Sequence, residues 1–157
     1  MITPVIDLLS VFDLNVIQMQ CPEATFINFE TGLHREPKGF KEYDKPEFQK
    51  HCDMWARLVG AQAQAFVKNG YRIVIVLGIE GSPSCAVEHQ YSRRGPIDKP
   101  GIFMSRLRTT LLGVGISPEF VGLNRRAIDK SLLELKTVLA KFASSDNLLA
   151  MFRSEPC

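Results

Sequence analysis

The chain has 157 residues, 45% hydrophobic and 23% charged, proportions that support a packed core and exclude a fibrous repeat or extended disorder. Its 19 basic and 17 acidic residues leave a net charge of +2, a balance that calls for neither nucleic acid nor an anionic membrane as partner. No apolar stretch reaches the ~20 residues of a membrane span, and the start lacks the basic and small-residue regions of a secretory signal. The expectation is one cytoplasmic domain over residues 1–157.

In chain order, Val5, Leu8, Leu9 and Phe12 recur at helical spacing behind Thr3-Pro4, which predicts a short opening helix. Asn15 to Gln20 reads as a strand that ends against Cys21-Pro22, because proline donates nothing to a sheet ladder. Residues 24–45 carry Gly32, Pro37 and Gly39 with no sustained period, the pattern of a long loop. From Asp44 and Pro46 a long helix is predicted, with Phe48, Cys52, Trp55, Val59 and Phe66 on one face and Asn69-Gly70 as its stop. The β-branched run Tyr71 to Leu77 predicts a buried parallel strand. An irregular stretch to Pro100, a helix at 102–112, a strand at 120–123 and a helix at 126–142 complete the reading, with 143–157 a tail. Strands alternating with helices imply parallel crossovers and an α/β fold, here a three-layer sandwich with a Rossmann-like sheet.

The four cysteines, at 21, 52, 85 and 157, form no CxxC pair, which leaves out a zinc ribbon and a thioredoxin motif and suits free thiols or metal ligands. Cys52 falls on the core-facing stripe of its helix and reads as a small buried hydrophobe. Cys21 and Cys85 follow predicted strands, and ligands of open α/β sheets bind outside the carboxyl ends of strands, so the two are expected to converge on one pocket. Glu23, Glu80, Ser82 and Ser84 flank the two thiols in the sequence. Both carboxylates have an alternative structural reading, as caps of turns or acceptors of backbone N–H groups. His34 and His51 show no partner in the sequence, and Trp55 reads as core.

Cys21-Pro22-Glu23 and the run from Gly78 through Ser82-Pro83-Ser84-Cys85 resemble the 2-thiouracil desulfurase family and its desulfidase-related branch. The resemblance extends over roughly residues 4–123, including Asp44 to Cys52, the helix through Gly70 and Gly101-Ile-Phe-Met. It implies an α/β fold and a 4Fe-4S cluster held by three cysteines, with one iron open to the sulfur of a thiocarbonyl. On this resemblance Cys21 and Cys85 would be two of those ligands, Glu23 and Ser84 the candidate acid–base groups, and Glu80 and Ser82 the candidate substrate contacts. Family members deliver the first cluster cysteine on an initial strand, and this chain is expected to lack that strand and with it the third ligand. The sheet is then expected to close by direct pairing of the strands from Val16 and Tyr71, by the 143–157 tail, or in a homodimer. The implied activity is removal of sulfur from a thiolated nucleobase or similar small thiocarbonyl without net redox change.

Two rival readings stand beside it. One is a non-catalytic domain of the same fold that binds a small molecule or a partner. The other is a zinc-dependent hydrolase, since His89 follows Cys85 by four residues and Cys21, Cys85 and His89 make a three-ligand set. Gly78 to Ser82 also offers backbone N–H groups to a phosphate, but without the lysine of a P-loop.

Overall fold

The computed structural model describes residues 2–12, 14–31, 43, 45–92 and 95–151. The chain divides into two compact units, one of residues 1–16 with 125–157 and the other of residues 17–124. The first unit contains helix α1 (Ile2–Val11) and helix α5 (Ile128–Met151), which pack on one another. Val5, Leu9, Leu135 and Leu139 are buried, the spacing of an apolar stripe on each helix. Residues 143–151, expected in a tail, continue α5.

The second unit carries helix α2 (Pro22–Thr31), helix α3 (Pro46–Lys68), strands β1 (Ile75–Ile79), β2 (His89–Ser92) and β3 (Gly95–Asp98), helix α4 (Ile102–Gly113) and strand β4 (Glu119–Leu123). Helix α3 begins with Pro46 in its first turn, behind Lys45 in an extended conformation, where proline loses no helical hydrogen bond. It ends in a Schellman closure: Tyr71 N donates to Phe66 O (3.1 Å) and Gly70 N to Val67 O (3.1 Å), with Gly70 at φ 85. The Phe66 and Tyr71 rings meet edge-on at 5.7 Å and complete that motif. Phe48, Cys52, Ala56, Gly60 and Ala63 lie buried along α3. Phe48, Cys52, Ala56 and Ala63 join Phe103, Met104, Leu107 and Leu111 of α4 and Val76 of β1 in one core.

Strands β1 and β4 pair in parallel, from Ile75 with Glu119 to Ile79 with Leu123. The fold is therefore mixed α/β, with a two-stranded parallel sheet and the antiparallel β2–β3 pair, His89 opposite Asp98. That hairpin occupies the stretch to Pro100 that the sequence reading left irregular.

Three expectations are corrected. Residues 14–21 adopt no regular secondary structure, so the strand at 15–20 and its pairing with the Tyr71 strand do not form. Val16 and Ile17 are 55% and 48% exposed, which removes the burial that a β-branched run needs to hold a strand. The other strand starts at Ile75 rather than Tyr71 and runs to Ile79, in register with β4. The predicted loop at 24–45 begins as helix α2, because Pro22 occupies the first helical position and Glu23 complements the N-terminal dipole; residues 32–42 and Asp44 lie outside the described residues. No helix among the described residues is long and apolar enough to cross a membrane.

Candidate functional site: a thiol and carboxyl cluster

Just past the end of β1 the chain turns through Gly81 to Val87 and returns toward the start of α4. Backbone bonds fix this turn on both sides. Ile79 N donates to Cys85 O (3.0 Å), while Ile102 N and Met104 N donate to Pro83 O (3.1 Å) and Ser84 O (3.0 Å). The first amides of α4, which lack helical acceptors, thus find them in the turn.

Glycines allow the approach. A Cβ at Gly101 would overlap the Ser84 carbonyl and lie 2.6 Å from Cys85 N; one at Gly78 would overlap Cys85 O and lie 2.7 Å from Val87 Cγ2.

Cys21 precedes α2 as its N-terminal flank and is not at a strand end, which corrects that part of the sequence reading. Thr25 N donates to Cys21 O (3.0 Å), the first bond of the helix. One turn of α2 then places Glu23, 1% exposed, against the 82–85 turn. Glu23 Oε1 accepts from Ser84 Oγ at 2.6 Å and from Ser82 Oγ at 2.9 Å. Ser82 Oγ in turn accepts from Cys85 N (3.0 Å) and Ser84 N (3.3 Å).

Ser84 Oγ lies 3.2 Å from Cys85 Sγ. A hydroxyl has one proton, and the short contact to Glu23 uses it, so the Cys85 S–H donates to Ser84 Oγ. The result is a directed chain from thiol to hydroxyl to carboxyl. Burial pushes the Cys85 thiol up to about 11 from 9.0, and neighbouring Cys21 and Glu23 push it further. Cys21 and Cys85 are both half-buried residues, whereas Ser84 is fully covered.

Glu23, Ser82, Ser84 and Cys85 therefore come together, and Cys21 stands two residues before Glu23 at the start of the same helix. Glu80 does not face them as a substrate contact: its Oε1 accepts from Val87 N (3.0 Å) and Glu88 N (3.2 Å), and its Oε2 from His89 N (2.7 Å). Three amides make it a structural carboxylate that closes the turn, and a Cβ at Gly122 of β4 would overlap it. His89 turns to Asp98, with Nδ1 3.1 Å from Oδ1 on the exposed hairpin. Cys52 is wholly buried in the core, and burial pushes its thiol up to about 12, the charge of Cys85 adding to the effect. Cys157 and His34 lie outside the described residues.

The resemblance implies a 4Fe-4S cluster on three cysteines. Among the described residues no group of three or more His, Cys, Asp or Glu side chains is arranged to hold a metal ion. Cys21 and Cys85 are, among the described residues, the cysteines outside the buried core that could serve as ligands.

His51 is the residue that sequence reasoning missed. Its Nε2 lies 2.8 Å from Thr25 Oγ1 and 3.1 Å from Trp55 Nε1, which ties α3 to the turn bearing Cys21 and Glu23. The i, i+4 spacing of His51 and Trp55 was visible; the partner on α2, 26 residues away, had no sequence signal.

Fold and cluster together define an α/β protein with a thiol, hydroxyl and carboxyl site beyond the carboxyl end of a parallel strand. No protein-family model, curated protein or solved structure matches the chain.

Proposed function

We propose that this chain is a desulfidase-like domain that binds a small thiocarbonyl compound, such as a thiolated nucleobase, against Cys21 and Cys85. The observation that carries the reading is the buried Glu23, bonded through Ser84 to the half-buried Cys85 thiol. In this reading the β1–β4 pair belongs to a Rossmann-like three-layer sandwich, and the site takes the usual place of ligands in such sheets.

The proposed reaction exchanges sulfur for oxygen: thiocarbonyl and water give carbonyl and hydrogen sulfide, with no net change of oxidation state. Glu23 is the proton-transferring group, taking a proton from the attacking water and returning one to the departing sulfur. Ser84 orients that carboxyl and relays to Cys85, and Ser82 holds the turn in place. An iron–sulfur-dependent form of this chemistry requires protein ligands in addition to Cys21 and Cys85.

The second reading, a non-catalytic domain that binds a small molecule, is favoured by the presence of two thiols where a cluster takes three. Anaerobic reconstitution with iron and sulfide separates the two. Broad absorbance near ~400 nm, from iron–thiolate charge transfer, together with sulfide release from 2-thiouracil, supports the enzyme. Binding of 2-thiouracil by a colourless protein that releases no sulfide supports the binding domain.

A further inference from the structure

Thr25 sits in the first turn of α2, directly above the peptide of Cys21. Its hydroxyl lies 3.1 Å from Cys21 O, 3.2 Å from Pro22 O and 2.8 Å from His51 Nε2 on α3. Trp55 Nε1 reaches the same ring nitrogen at 3.1 Å. An indole N–H only donates, so His51 Nε2 is an acceptor and the neutral ring carries its proton on Nδ1. Aromatic packing fixes the ring plane: Phe26 of α2 lies 5.3 Å away, Phe48 is stacked at 6.4 Å and Trp55 is edge-on at 6.2 Å.

We infer that His51, as the Nδ1–H tautomer, is a positioning residue for the site: it holds the turn of α2 that presents Cys21 and Glu23 to Ser84 and Cys85. This deepens the proposed function and rests on it for what the turn presents to a ligand; the positioning itself rests on the contacts above. Glu23 is fastened to the 82–84 turn on one side, and the Thr25–His51–Trp55 chain fastens the same helical turn to α3 on the other. An acceptor at the Nε2 position is the chemical requirement.

The test alkylates the native protein with iodoacetamide and follows Cys21 and Cys52 separately by peptide mass spectrometry, Cys52 reporting on the core. In His51→Leu the Cys21 rate rises about tenfold, the scale of losing one net hydrogen bond, while Cys52 stays protected. His51→Gln, whose amide oxygen reaches the Nε2 position, restores the slow rate, and His51→Asn does not. Trp55→Phe, which keeps a ring and removes the donor, gives an intermediate rate and serves if the leucine variant does not fold. An unchanged Cys21 rate in both the leucine and phenylalanine variants overturns the inference. So does a joint rise of Cys21 and Cys52, or rescue by asparagine as full as by glutamine. Binding of 2-thiouracil to the wild type is measured separately; its failure beside the expected alkylation pattern removes the thiocarbonyl reading and leaves the positioning role supported.

Discussion

Ser84 Oγ and Glu23 Oε1 lie 2.6 Å apart across 61 residues of sequence, and this bond joins the start of α2 to the turn after β1. Ser84→Ala removes it together with the partner of the Cys85 thiol. Because Glu23 and Ser84 are both buried, the loss should cost about 1–3 kcal/mol, read as a lower urea midpoint. A midpoint equal to that of the wild type would show that the bond contributes nothing to the fold.

The close approach of α4 to the site turn predicts a contrast between two glycines. At Gly101 an added Cβ meets the backbone of Ser84 and Cys85, atoms with no rotamer to yield, whereas at Gly113 nothing lies within 4 Å. Gly101→Ala should destabilise by about 1–3 kcal/mol or more. Gly113→Ala, at the last position of α4, should be neutral or stabilising by up to ~1 kcal/mol. Thermal melts of the two variants check the ordering, and equal effects would refute the close approach.

Alkaline pH supplies a third prediction. The desolvated thiols of the half-buried Cys85 and the buried Cys52 keep their protons in the folded chain up to about 11 and about 12, against 9.0 for a solvated thiol. Below pH 9 both states are protonated and these groups leave stability unchanged. Above it the unfolded chain binds fewer protons than the folded one, so stability falls by ~1.4 kcal/mol per pH unit for each thiol until its folded pKa is passed. Anaerobic urea titrations between about pH 8.5 and 10.5 should show a shallower decline for Cys85→Ala and for Cys52→Ala than for the wild type. Parallel declines in all three proteins would contradict the burial of the thiols.

Much of this architecture is legible in the sequence where one physical rule dominates. The apolar stripe of α3, the Asn69-Gly70 stop and the β-branched residues of β1 each answer to periodicity or to a backbone requirement local to the chain. Cys52 follows the same rule into the core. The site is legible only in part. Cys21, Glu23, Ser84 and Cys85 stand out as residue types, but their meeting depends on a helix that the loop-like composition of 24–45 concealed. The Pro22-Glu23 pair was the available signal for that helix start.

Elsewhere tertiary context decides. Val16 and Ile17 have the β-branched character of a strand, yet they are exposed and form none. Glu80 has the appearance of a ligand group next to Ser82, and only the path of residues 87–89 shows that three amides occupy it. His51 owes its importance to Thr25 and Trp55, contacts that no spacing rule foretells.

The central claim, that the Cys21, Glu23, Ser84 and Cys85 cluster receives a thiocarbonyl sulfur, is tested most directly by calorimetric titration of the wild-type protein with 2-thiouracil and with uracil. The two compounds differ by one atom, so the comparison isolates the sulfur. The account predicts saturable binding of 2-thiouracil at least about tenfold tighter than uracil, a difference of ~1.4 kcal/mol, with the preference lost in Cys85→Ala. Equal affinity for the two compounds, no binding of either, or a preference unchanged in Cys85→Ala would contradict it.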